Sequence, residues 1–161
     1  MLSDFLIFTH PAFGIFGILA TVWLLIEALN ANAVNESRLN KAAWSVAFFM
    51  LLALLFGGQW YVVYYPVEKA VILNGPWPFA HNFFMEVKEH LFFIPLILAL
   101  YLPMIVTRNN LSINNGARKI VITVSSIIIV LSLLIEGAGA VINEGAKIAY
   151  KQTNLQEGGQ K

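Results

Sequence analysis

Four stretches of this chain, roughly 11–29, 43–65, 85–107 and 119–143, are long, apolar and almost free of charge. A helix needs about 20 mostly apolar residues to cross the roughly 30 Å hydrocarbon core of a bilayer, where backbone polar groups are satisfied only within helices or closed barrels. Each stretch has that length, so the sequence predicts an all-α, integral membrane four-helix bundle. "NANAVNES", "NGPWP" and "NNLSINNGA" separate the stretches and are rich in turn-forming residues, which implies antiparallel helical hairpins in a single membrane domain over residues 1–161. Composition agrees, because 58% of the residues are hydrophobic, against roughly 45–50% in soluble domains.

Charge and cysteine content narrow the chemistry. Ten Lys/Arg stand against nine Asp/Glu with no basic stripe, which argues against nucleic acid as a partner. Without cysteine the chain has no disulfide, iron–sulfur cluster, thiolate zinc site or covalent c-type haem, so a cofactor must be held by histidine, carboxylate or backbone. The N-terminus "MLSDFLIF" has no basic residue, so the first helix reads as retained, not as a cleaved signal peptide. Thr9 reads as its N-cap and Pro11 as a first-turn residue, which puts His10 at the helix mouth and the preceding segment at the interface.

Lys and Arg near helix ends are retained on the cytoplasmic side. Arg38 and Lys41 lie between the first two spans, and Arg108, Arg118 and Lys119 between the last two, whereas Lys69 and Lys88 are diluted by Glu68, Glu86 and Glu89. The chain is therefore expected to be a multi-pass protein of the cell membrane with both termini on the outer side. Trp60, Tyr61, Tyr64, Tyr65, Trp77 and Tyr150 then form an outer aromatic belt.

Displaced by 80 residues, the sequence meets itself without a gap. His10 falls on His90, Asn30 on Asn110, Asn35 on Asn115, Arg38 on Arg118, Ser45 on Ser125 and Gly57 on Gly137. These coincidences predict duplicated hairpins, with units at roughly 10–64 and 90–144. Each unit has two spans, so its copy enters in the same direction, a parallel repeat that sets the first and third helices diagonally. His10 and His90 then begin equivalent helices at one depth. Facing imidazoles are what six-coordinate haem iron requires, and Gly14, Gly57, Gly58 and Gly137 are candidates for the clearance a flat cofactor needs.

These histidines, the neighbouring glycines and the four-span topology resemble the small membrane b-type cytochromes, whose four-helix bundles hold haem between histidines on different helices. The resemblance implies one haem b near the outer face, His10 and His90 as axial ligands, and electron exchange with quinol or an outer-side partner as a redox subunit. Three histidines allow at most one bis-His haem, and His81 stands too close in sequence to His90 for both to bind one iron from one helix.

The carboxylates add a second line. Glu136 lies 17 residues into its span from Lys119, about 25 Å at 1.5 Å per residue, a depth at which an ionisable group is costly and points to function. Glu136 and Glu86 are therefore candidate proton-transfer residues for quinol chemistry, or hydrogen-bond partners of the ligand imidazoles. The alternatives are an iron, copper or zinc site built from His10, Glu86, His90 and Glu136, and a non-catalytic subunit. Expected partners are the lipid bilayer, quinone, and further subunits or a homo-oligomer.

Overall fold

The computed structural model describes residues 2–158, and every regular element in them is helical. In chain order these are α1 (Leu2–Leu29), α2 (Glu36–Val63), α3 (Tyr65–Asn74), a π-helix (Ala80–Met85), α4 (Glu86–Leu91), α5 (Phe93–Arg108) and α6 (Asn115–Gly158). Four helical stretches are long and apolar enough to cross a membrane: Leu2–Leu29, Glu36–Val63, Ala80–Arg108 and Asn115–Leu155.

α1 packs on α2 and α6, and α5 packs on the same two, while no α1–α5 contact occurs among the described residues. The first and third spans are thus diagonal, as they are in any up-down-up-down bundle. The tightest pairing, α1 with α2, is lined by small side chains. Ala20, Ala28, Ala42, Ala43, Ala47 and Ala53 are buried, and a Cβ added at Gly17 would sit 3.3 Å from the Met50 methyl. Small residues let helix backbones approach closely, which suits a bundle where lipid and core are equally apolar. Leu24, Val46, Leu102, Val121 and Ile128 fill the centre.

Two helix starts differ from the sequence reading. Thr9 is no N-cap: its Oγ1 donates to Phe5 O at 2.7 Å inside a helix that begins at Leu2, and Pro11 is internal. The reach back to the i−4 carbonyl satisfies the hydroxyl without ending the helix. Likewise 66–84 is not simply a turn. Pro66 has no N–H for the α2 ladder, so α2 stops at Val63 and α3 restarts with Pro66 in its first turn.

α6 has 44 residues, about 66 Å, twice the hydrocarbon thickness. Its distal half carries a second small core, in which Tyr65 and Ile72 of α3, Ala80 and Met85 of the π-helix, and Ile142 and Ala146 of α6 are buried together. A Cβ on Gly145 would lie 2.6 Å from that of Ala80, so the close approach of the π-helix to α6 requires glycine there. We call this end, which also holds the chain's N-terminal turn, the cap end. The opposite end, with the 30–35 and 109–114 connections, is the hairpin end.

Candidate functional site

Three helices bring one ionisable side chain each to the same level below the cap. His10 comes from α1, Lys88 from α4 and Glu136 from α6, and all three are half-buried. Each lies against a glycine. A Cβ at Gly57 of α2 would collide with the His10 ring, one at Gly14 of α1 would collide with Glu136 Oε1, and one at Gly139 of α6 would come 2.9 Å from Lys88 Nζ. Mid-helix glycine costs about 1 kcal/mol relative to alanine, and here the missing side chains are the space that the polar groups occupy. Gly58 and Gly137 have no atom within 4 Å of their Cβ positions.

The geometry fixes the His10 tautomer. Its Nδ1 lies 2.9 Å from Ala53 O, and a carbonyl only accepts, so Nδ1 carries the proton and Nε2 is a free base. His10, Gly14, Ala53, Phe92, Ser132 and Glu136 are among the residues that line a cavity of about 20 Å³. That holds about one water, which needs roughly 10–15 Å³ and two or more polar partners. The Lys88 ammonium acts electrostatically on both Glu136 and His10. An imidazole base and a carboxyl group beside one water-sized space, with a lysine of a third helix near the carboxyl group's helix, form a set that can take up and pass on protons.

His90 is elsewhere. It is exposed on α4, its Nδ1 donating to Glu86 O at 2.7 Å, and it lies outside the cavity that His10 lines. Lys88, two residues earlier and so about 200° around the helix, is the α4 side chain that turns inward. Glu86 is exposed and faces His81 Nε2 at 3.6 Å. Among the described residues, no group of three or more His, Asp or Glu side chains stands close enough to hold a metal ion. Gln59, which falls in the second span beside Gly57 and Gly58, is exposed on α2.

A second polar group lies directly above, in the cap. Tyr65 and His81 are both buried, with Tyr65 Oη 2.9 Å from His81 Nδ1. The Tyr61 ring stacks on Tyr65 at 5.3 Å and Trp60 packs at 5.5 Å. Tyr65, Trp60 and Tyr61 thus belong to the packing of the cap, where sequence reading made them an interfacial belt. Burial raises the Tyr65 phenol above its usual range and also raises the Glu68 carboxyl on α3. No protein-family model matches this sequence, and no curated protein or solved structure proved significantly similar to it.

Proposed function

We propose that this chain is a multi-pass membrane protein that handles protons at His10, Lys88 and Glu136, as the proton-transfer part of a membrane redox assembly. One observation carries the reading: two ionisable groups from two helices, His10 and Glu136, line one water-sized cavity, with Lys88 of a third helix close to Gly139 of α6, and each of the three is seated in the space of a glycine. With the hairpin end set at one hydrocarbon boundary, Glu136, 21 residues from the start of α6, stands about 32 Å away, at the far boundary. Ionisable residues at such depth mark proton and ion pathways. A proton on the Glu136 carboxyl passes through a cavity water to His10 Nε2, while Lys88 holds the charge of the ionised carboxylate. A quinol in the adjoining lipid is the electron-carrying partner class that such a site serves.

Infrared difference spectra of the full chain in liposomes test this. A carboxyl band that changes between about pH 5 and 9, is lost in Glu136→Gln and shifts in Lys88→Met is the expected result. No pH-dependent band assignable to Glu136 would overturn the reading.

A second reading, one haem b held by His10 and His90, draws support from the ring nitrogens. Both histidines tie Nδ1 to a backbone carbonyl and leave Nε2 free, as ligand histidines do. The surroundings do not fit one haem shared within this chain: the His10 cavity takes about one water, and His90 lies exposed outside it. We therefore derive no step through haem. A reducible Soret band in the purified protein, lost in His10→Ala, would establish this second reading.

A further inference from the structure

Ser132 of α6 carries a hydroxyl that the protein itself leaves unused. The residue is 6% exposed, and its Oγ makes no hydrogen bond to any described residue. Other hydroxyls inside the helices reach back to the i−4 carbonyl: Thr21 to Gly17 O at 2.7 Å, Thr107 to Pro103 O at 2.6 Å and Ser126 to Ile122 O at 2.9 Å. Ser132 does not take that bond, and a buried polar group left unpaired calls for another partner, such as an ordered water. Space for one lies beside it. Ser132 lines the cavity of about 20 Å³ together with His10 and Glu136. Ser132 and Glu136 are i, i+4 neighbours on one face of α6, and Glu136 Oε1 occupies the place of a Gly14 side chain, one turn along α1 from His10. Carboxyl, hydroxyl and imidazole thus border a single space from two helices.

We propose that the Ser132 hydroxyl is the positioning group for the water that carries a proton between Glu136 and His10. The inference rests on the proton-handling reading above. A buried water makes about three hydrogen bonds, and these walls offer three partners. The water accepts from the protonated Glu136 carboxyl and donates one hydrogen to His10 Nε2, which is the unprotonated nitrogen because Nδ1–H is given to Ala53 O. Its second hydrogen needs an acceptor, and beyond Glu136 itself the side-chain oxygen left in the cavity wall is Ser132 Oγ. That bond holds the water turned with its lone pair toward Glu136 and its first hydrogen toward His10. In the transfer the Glu136 O–H bond breaks as the water gains that proton, and the water gives a hydrogen of its own to His10 Nε2. One proton has moved from carboxyl to imidazole and the water is restored. A serine hydroxyl also donates, so Ser132 can then turn its hydrogen to the new carboxylate one turn along α6.

The test follows the Glu136 infrared band after a pH jump, in the full chain in liposomes, with the O–H band of the buried water identified by its shift in water enriched in oxygen-18. Ser132→Ala, which removes one oxygen and leaves a good helix former, should slow the settling of the Glu136 band at least about tenfold, a modest share of the 10²–10⁴ that positioned proton transfer contributes. The final amplitude should be unchanged and the water band shifted. Ser125 supplies the matched control, because its Oγ is likewise buried without a partner but lies two turns away, outside the cavity. Ser125→Ala should keep the wild-type rate and water band. A wild-type rate in Ser132→Ala would overturn the role of Ser132 and leave the proton-handling reading standing, and equal slowing in Ser125→Ala would overturn it as well. A Glu136 band that never responds in wild type would remove the proton-handling reading and the role of Ser132 with it.

Discussion

Gly57 and Gly137 stand at equivalent positions of the 80-residue offset, yet only Gly57 has a partner, the His10 ring, while Gly137 faces open space. Their alanine variants should therefore differ in sign. Gly57→Ala and Gly14→Ala force His10 and Glu136 out of position, and overpacking of this kind costs about 1–3 kcal/mol. Gly137→Ala and Gly58→Ala should be neutral, or stabilising by up to about 1 kcal/mol through helix propensity. Unfolding in detergent monitored by circular dichroism checks the order. Glu68 gives the pH-dependent case. Burial raises its folded-state pKa above the ordinary 4.5, so the stability it permits is complete below that value and declines as pH rises through the folded one. Glu68→Gln should match wild type in acid and be the more stable protein at neutral pH. Parallel melts at both pH values measure this, and a variant less stable at neutral pH would contradict it.

At the scale of elements, the four apolar helices could be read from the sequence because hydrocarbon length alone demands about twenty apolar residues. The cap could not. Ten-residue α3 has Pro66 in its first turn and Gly75, Pro76 and Pro78 after it, and has little periodic pattern of its own; it is held by burial of Tyr65 and Ile72 against neighbouring helices. The same limit hid part of the site. His10 and Glu136 stood out as titratable groups in apolar runs, but the inward turn of Lys88, with His90 left outside, depends on the phase of α4. That phase is set between the π-helix before it and Pro95 after it, where the missing N–H interrupts the ladder at Leu91 and separates α4 from α5. Sequence alone gives neither. The α1–α2 connection shows a further element-level device. Glu27 accepts from Asn35 Nδ2 at 2.7 Å and from Arg38 Nε at 2.9 Å, and the buried Asn35 also donates to Glu27 O at 3.0 Å. Asn35→Ala should destabilise the hairpin by about 1–3 kcal/mol, because it strands buried acceptors. Asn115→Ala, its counterpart in the 80-residue offset but exposed, should have a far smaller effect in the same melt.

For the whole molecule, the two ends differ in charge once side-chain direction is taken into account. The hairpin end carries Arg38, Lys41, Arg108, Arg118 and Lys119, all inside helices near the ends that flank its short connections. The cap end carries Lys69, Lys147 and Lys151 in a folded layer together with Glu68, Glu86 and Glu144, while Lys88 is turned into the bundle and does not count as a flanking charge. The positive-inside rule weighs Lys and Arg in short loops beside the spans, and by that rule the hairpin end is expected in the cytoplasm and the cap outside. On that expectation the triad of the proposed function would stand at the outer boundary. Single cysteines in this cysteine-free chain make the assignment measurable. Ile113 is 79% exposed in the hairpin-end connection and, unlike Asn114, caps no helix, while Asn74 is exposed at the end of α3. An impermeant maleimide added to intact cells should label Asn74→Cys and leave Ile113→Cys unlabelled until the membrane is opened. The reverse pattern would place the cap in the cytoplasm; it would leave the approach of His10, Lys88 and Glu136 intact but reverse the side on which the proposed site stands.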